Sequence, residues 1–281
     1  MRNYTFKTAQ RSIEINNKTL IMAVLNVTPD SFSDGGSYTD TESAVNKALE
    51  MIAQGADIID IGGESTRPGA EPVSLDEEIK RTVPVIKALR EKSDVLISID
   101  TTKARVAELA IEAGADIIND ISAFKRDPQM ISVAVKTGAG AMLMHMRGTP
   151  QTMQQDLHYE DLVGEIKQYF SDIISELEKA GIDKQKLMID PGIGFSKNTR
   201  QNLQLINNLD QLLTFGIPIL LGTSRKSFIG KILKRDNPAE RVWGTAASIS
   251  VGICKGAAVV RVHDIDEMKQ AALICDAILN S

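Results

Sequence analysis

One repeated junction restricts this chain more than any other feature: a glycine, one or two small or acidic residues, then an apolar run of strand length. It appears as Gly55-Ala56-Asp57-Ile58-Ile59-Asp60-Ile61 and again as Gly114-Ala115-Asp116-Ile117-Ile118-Asn119-Asp120. It returns more loosely from Gly138 to His145, and once more as Gly256-Ala257-Ala258-Val259-Val260-Arg261. The glycine closes a helix, and the run after it is apolar at successive positions, as in a strand covered on both faces. Repeated along one chain, such junctions mark βα units. Apolar runs near 20–25, 56–61, 95–99, 115–118, 140–144, 186–189, 217–221 and 257–260 give eight strands, each followed by a helical segment. Capping-box spacing at Thr39/Glu42 and Ser74/Glu77 marks helix starts, as does Asn237-Pro238. Leu162, Ile166, Phe170, Ile173 and Leu177 mark a long amphipathic helix. Eight such units predict an α/β fold, a single (β/α)8 TIM barrel over residues 1–281, close to the roughly 250 residues such a barrel needs. An open doubly wound sheet is the alternative if a strand or two is misread. Residues 1–18, where Ser12-Ile13-Glu14-Ile15 alternates, predict a short N-terminal hairpin or flap.

Composition sets limits. The chain is 43% hydrophobic but only 4% aromatic, so its core is aliphatic, and a net charge of −5 argues against nonspecific binding to nucleic acid or anionic membranes. No apolar run reaches the ~18 residues of a membrane span. The opening Met1-Arg2-Asn3-Tyr4-Thr5-Phe6 lacks an apolar signal-peptide core, so a cytoplasmic protein is expected. Cys254 and Cys275, far apart and without CxxC spacing, read as buried free thiols.

In a barrel the C-terminal strand ends converge on one mouth. That mouth would collect Asn26, Asp60, Asp100, Asn119, Met144 with His145, Asp190, Lys226, Arg261 and His263. One carboxylate there can be a structural acceptor, but six polar ends at one topological position exceed what structure alone explains. Asp100, Asn119 and Asp190 offer acceptors and an amide donor to the donor-rich edge of a planar heterocycle such as an amino-pteridine, and Lys226 can donate to a ring carbonyl or nitrogen. Arg261 can stack on a ring and still bind phosphate, and Arg67, Arg261 and His263 are candidate cations for a polyanion. Lys226 has a second reading, as the Schiff-base lysine of a barrel aldolase. Asn26 offers a hard amide oxygen suited to a diphosphate-bound Mg2+. Two long loops, from Thr28 to Tyr38 and from Gly62 to Pro72, carry Phe32 and Pro68 and are long enough to close over a substrate. His145 reads as a packed wall residue and His158 as a surface one, and no Ser/His/Asp order or HExxH supports a hydrolase.

At these positions the chain resembles a known family. Leu25-Asn26-Val27-Thr28-Pro29-Asp30-Ser31-Phe32-Ser33-Asp34-Gly35-Gly36 is similar to the first signature of the dihydropteroate synthases, and Gly62-Gly63-Glu64-Ser65-Thr66-Arg67-Pro68-Gly69 to the second. Ser98-Ile99-Asp100-Thr101, Asn119-Asp120, Met144-His145-Met146, Asp190-Pro191-Gly192-Ile193-Gly194-Phe195, Ser224-Arg225-Lys226-Ser227-Phe228 and Arg261-Val262-His263-Asp264 follow in that family's order. The resemblance implies a barrel that joins para-aminobenzoate to 6-hydroxymethyl-7,8-dihydropterin diphosphate, releasing pyrophosphate and forming 7,8-dihydropteroate for folate biosynthesis. It implies that Asp100, Asn119, Asp190 and Lys226 hold the pterin edge, that Met144, Phe195 and Gly222 wall the pocket, and that Arg261 stacks on the ring. Asn26 would ligate Mg2+; Asn26, Thr66, Arg67, Arg261 and His263 would meet the diphosphate. Phe32, Pro68, Lys226 and Ser227 would surround the aminobenzoate, whose place sulfonamide drugs take. Asp100, Asp190, Lys226 and Arg261 would carry the catalysis, and a homodimer is expected. The nearest rival is a methyltransferase that passes a methyl group from methyl-tetrahydrofolate to a corrinoid protein. It needs no diphosphate cations, so Thr66-Arg67-Pro68 and Arg261 with His263 speak against it. A noncatalytic pterin-binding protein is the rival from another class.

Overall fold

The computed structural model describes residues 3–28, 37–67 and 69–281. Two short strands come first, β1 (Asn3–Lys7) and β2 (Ser12–Asn16), paired antiparallel with Phe6 opposite Ile13. Eight more follow: β3 (Leu20–Asn26), β4 (Ile58–Gly62), β5 (Leu96–Asp100), β6 (Ile117–Asp120), β7 (Gly140–Met144), β8 (Leu187–Asp190), β9 (Leu220–Leu221) and β10 (Val259–Val262). All their ladders are parallel, in the order β8-β7-β6-β5-β4-β3-β10-β9. A bridge between Ile189 and Ile219 joins the two edges, so the sheet closes into the expected barrel. The helices lie outside it: α1 (Ser37–Ala53), α2 (Leu75–Arg90), α3 (Ala104–Glu112), α4 (Met130–Thr137), α5 (Leu162–Lys179), α6 (Thr199–Asn207), α7 (Ser227–Leu233), α8 (Val242–Cys254) and α9 (Ile265–Leu279). Among the described residues no helix is long and apolar enough to cross a membrane.

β3 and β7 begin where the apolar runs do, at Leu20 and Gly140, and the other six barrel strands begin one to three residues later than the runs suggest. In the seventh the cause is Pro218, which has no N–H to give a ladder, although its carbonyl accepts from the Ile189 N–H at 3.1 Å. In the Gly-Ala-Asp junctions the cause is the aspartate. Gly55 and Gly114 turn the chain at φ +102° and +114°. Asp57 then accepts from the Ile21 N–H at 2.9 Å, and Asp116 from the Ile97 N–H at 2.9 Å. Each aspartate therefore caps the start of the neighbouring strand, and cations hold it there: Lys18 and Lys269 on Asp57, Arg11 and Arg90 on Asp116.

Outward strand residues such as Ile59, Ile97, Ile118 and Val260 pack under the helices. Inward residues at the N-terminal end, including Met22, Ile58, Leu96, Ile117, Met142, Met188 and Leu220, form a second cluster sealed by Phe6 and Ile15 of the hairpin. The N-terminal extension is thus a plug in the floor of the barrel. Gly140 makes room for it, because a Cβ there would stand 2.5 Å from Phe6 Cζ. Both cysteines are free. Cys275 is buried as expected, whereas Cys254 is exposed at the end of α8.

Candidate active site

Side chains alternate across a strand, so counting in twos from the floor identifies what enters the mouth. From Ile58, Leu96, Ile117, Met142, Met188 and Val259 the next inward positions are Asp60, Ser98, Asn119, Met144, Asp190 and Arg261. One step further come Gly62, Asp100 and His263, and the same count on β3 arrives at Asn26. Parallel register sets Asn26 beside Gly62, Gly62 beside Asp100, Asp100 beside Asn119 and Met144 beside Asp190.

Arg261 is the centre of the arrangement. Its Nε donates to Asp60 Oδ2 at 2.7 Å and its Nη2 to Asp100 Oδ2 at 2.8 Å. Asn119 Nδ2 donates to both oxygens of the same Asp60 at 3.2 and 3.3 Å, which leaves the Asn119 carbonyl oxygen as the acceptor for anything else. Asp60 is fully buried and holds two neighbours in place. The sequence put it at the mouth without a role; its inward parity with Asp100 and Asn119 was the available signal.

Next to Arg261 in the ring of strands, after β9, stands Lys226, at the N-terminal edge of α7. Its stem runs along Gly194, whose φ of +84° admits the close approach, and its ammonium lies 4.1 Å from the centre of the Phe195 ring. Phe195 joins Met144, Ile121 and Met153 in an apolar wall. Asp190 accepts from the Gly192 N–H at 2.7 Å, and Gly222 sits beside it, open enough that a Cβ would stand 3.8 Å from Asp190 Oδ2. The adjacent Arg225 turns away: its guanidinium pairs with Asp264, at 3.1 Å for the Nε bond. Of the two cations in Ser224-Arg225-Lys226, only Lys226 belongs to the mouth.

The electrostatics mark the place. Burial, with further pushes from Asp60, Glu78 and Asp120, raises the Asp100 carboxyl to about 7 although Arg261 opposes it. Burial also raises Asp190. Lys226 is held down to about 8 by burial and Arg261, with Arg67 adding to this and Asp190 and Asp100 opposing. Burial works against the charge of Arg261, but Asp60 and Asp100 outweigh it and keep the guanidinium protonated. Perturbation of several titratable groups in one concavity is what functional sites show.

The other expected residues are placed as follows. His263 is held down to about 4 by burial, Arg261 and Arg225, which favours a neutral hydrogen-bonding ring. Its Nδ1 lies 3.0 Å from Ser224 Oγ. Thr66 is half-buried and Arg67 exposed on the β4–α2 loop, and Ser227 is exposed at the start of α7. Phe32 and Pro68 lie outside the described residues. His145 is buried and neutral, held down to about 2 by burial and Lys197, and packs edge-on against Tyr169 at 4.8 Å, as a wall residue should. His158 is exposed. Among the described residues no three His, Cys, Asp or Glu side chains converge as a metal cage. Half-buried Asn26 supplies one amide oxygen, a donor that fits Mg2+ only if phosphate oxygens provide most of the other ligands.

Comparison with known proteins follows the same lines. The family model described as pterin binding enzyme matches residues 22–263. The chain is 50% identical over 261 residues to a dihydropteroate synthase of Synechocystis, covering 93% of this chain and 90% of that one. It resembles the Yersinia pestis dihydropteroate synthase solved with a sulfonamide drug complex, with a TM-score of 0.92 and 42% identity over 99% of this chain and 100% of that one. It also resembles the Xanthomonas albilineans dihydropteroate synthase in complex with 7,8-dihydropteroate, with a TM-score of 0.88 and 37% identity over 99% of each chain.

Proposed function

The chain belongs to the dihydropteroate synthase family of pterin-binding enzymes, and from that premise we propose that it condenses 6-hydroxymethyl-7,8-dihydropterin diphosphate with para-aminobenzoate to give 7,8-dihydropteroate and pyrophosphate, a step of folate biosynthesis. The observation that carries this reading is the mouth itself. Asp100, Asn119 and Asp190 bring acceptors and Lys226 a donor to one end of the barrel, where Met144, Phe195 and Gly222 lie close by. That pattern suits the edge and face of a pterin.

The reaction then follows from the groups present. The bond between the pterin methylene carbon and the diphosphate oxygen breaks first, and the electron pair leaves with the diphosphate. Arg261, Arg67, Thr66 and His263 offer positive charge and hydrogen bonds to that leaving group. Asn26 would help to hold a Mg2+ bound with the diphosphate, and that ion would add to the neutralisation of the leaving group. The methylene cation left behind is delocalised into the ring and lies in the field of Asp100 and Asp190. The arylamine is unprotonated at neutral pH, so its nitrogen forms the new bond without a strong base and afterwards loses one proton to solvent or to pyrophosphate. This accounts for a mouth whose two histidines are both neutral. Lys226, Ser227, Phe32 and Pro68 would border the aminobenzoate, where a sulfonamide would compete.

The test is pyrophosphate release from the purified chain, with and without the arylamine. Release that requires pterin diphosphate, Mg2+ and para-aminobenzoate together, with dihydropteroate formed, supports the reading; pterin binding without release overturns it. A homodimer is proposed on the family resemblance and on apolar side chains left in solvent by α7 and α8: Ile232, Leu233, Val251 and Trp243, the last 80% exposed. Light scattering at micromolar concentration should give twice the chain mass, and Trp243→Arg should halve it.

A further inference from the structure

Behind the mouth lies a charged cluster that the reaction above does not use. Lys103, three residues beyond Asp100 at the N-terminal edge of α3, donates to Glu64 Oε2 at 2.5 Å and pairs with Glu78 of α2. Glu78 is 1% exposed, and its Oε1 is buried without a hydrogen-bond partner among the described residues. Clusters of this kind contribute little to stability, because apolar side chains of similar volume would hold the fold as well. A role in positioning explains their presence better.

The position of Glu64 gives that role. It opens the segment between β4 and α2, and the same Oε2 that receives Lys103 also accepts from the Val73 N–H at 3.0 Å, nine residues on. One carboxylate oxygen thus gathers both ends of the loop and ties them to the strand end that carries Asp100. Arg81 of α2 adds a bond from Nη1 to the Gly63 carbonyl at 2.9 Å. The far side of the loop is held as well: the Gly69 N–H donates to the Pro150 carbonyl at 3.1 Å, and Gln151 Nε2 to the Ala70 carbonyl at 2.8 Å. Pro150 and Gln151 follow β7, while β5 and β6 stand between β4 and β7 in the sheet. The segment therefore passes the strand ends of Asp100 and Asn119, anchored at its neck and at its far side.

We infer that Glu64 and Lys103 are positioning residues that fix the neck of the β4–α2 loop, and with it Thr66 and Arg67, at a set distance from Asp100. The inference rests on the proposed function for what the loop meets, the diphosphate and the arylamine. It does not rest on that reading for the anchoring itself.

The variant that separates anchoring from mere structure is Glu64→Ala in the full chain, measured by hydrogen exchange and steady-state kinetics. Amide exchange over 65–73, that of Val73 above all, should quicken while the barrel strands keep their protection. KM for the pterin diphosphate, whose leaving group Thr66 and Arg67 are assigned to meet, should rise about tenfold, the scale of one lost charge-assisted hydrogen bond, with a smaller change in kcat. Affinity for a pterin without diphosphate should stay the same. Glu64→Gln keeps an oxygen that accepts from both partners and should restore most of the loss. The double variant Lys103→Met with Glu78→Met removes the buried charges together and should loosen the loop without lowering the melting temperature. Unchanged loop exchange in Glu64→Ala overturns the inference. So does a KM rise accompanied by an equal loss of plain pterin affinity and of melting temperature. A wild-type chain that releases no pyrophosphate would overturn the proposed function instead, and the exchange measurement would still decide the anchor.

Discussion

The two ends of the barrel are built by the same eight strands and differ completely in chemistry. At the N-terminal end the inward positions are Leu20, Met22, Ile58, Leu96, Ile117, Met142 and Met188, capped by Phe6 and Ile15. Two to four residues along the same strands the inward positions become Asp60, Asp100, Asn119, Asp190 and Arg261. Acidic groups occur at both ends but are treated differently. Asp57 and Asp116 at the floor each bind a backbone N–H and two cations. At the mouth, burial pushes Asp100 up to about 7 and Lys226 down to about 8, so the fold holds charges there against its own preference. The floor carries burial energy, and the mouth is free to be unfavourable where chemistry needs it. If that division is right, substitutions at one end should move kinetics and at the other stability.

The sharpest test is Lys226→Ala. It removes a donor aimed at the pterin and should lower kcat/KM by roughly 10²–10³-fold. The melting temperature should hold or rise, since a buried ammonium is lost. A variant as active as the wild type breaks the assignment of Lys226; a variant that unfolds breaks the division of labour. The counterpart is Phe6→Ala, which empties the floor plug and should cost about 3–5 kcal/mol of stability in denaturant unfolding. Well below its melting temperature, that variant should keep wild-type kcat/KM, and a selective kinetic defect would mean the two ends are coupled.

The same contrast explains what could be read in the sequence. Aliphatic runs and glycine junctions made the barrel and its eight strands legible, because a strand buried on both faces leaves a continuous apolar run. The inward set was legible from alternation and from polar residues that end those runs. Asp60 was harder, since its partners Arg261 and Asn119 are distant in sequence and only closure of the sheet brings them to one carboxylate. The downward push on His263 comes from burial beside Arg261 and Arg225, which has no local signature in the sequence. The floor plug was visible as a hairpin but not as a plug: Phe6 meets Gly140 only in the folded chain. The Glu64–Lys103–Glu78 cluster, spread over three elements, was not legible at all.

Acidity sharpens the comparison further, at a scale of about tenfold per pH unit. Below about 7 Asp100 takes up a proton and loses an acceptor, and above about 8 Lys226 loses the proton it donates. Pterin affinity should therefore fall on both sides of a narrow plateau between those values. Lys226→Arg keeps its charge at every accessible pH and should remove the alkaline limb while leaving the acid one. A flat profile from pH 6 to 9 would show that neither group faces the ligand in the form assigned.

The smallest expected effect is also the most local. Gly222 closes the strand β9 beside Asp190, and a Cβ added there meets Asp190 Oδ2 at 3.8 Å and Arg261 Cβ at 3.9 Å, ordinary contact distances. The empty chain should accept Gly222→Ala with no measurable change in melting temperature. A methyl group on the wall of a flat slot nevertheless takes space from a ring that packs against it. Pterin affinity by calorimetry should weaken several-fold, up to about tenfold, or about 1.4 kcal/mol. KM for para-aminobenzoate should move little, because that substrate is assigned to Lys226, Ser227, Phe32 and Pro68 and not to Gly222. If Gly222→Ala binds pterin as tightly as the wild type, the ring does not lie against β9, and the slot must be sought closer to Met144 and Phe195.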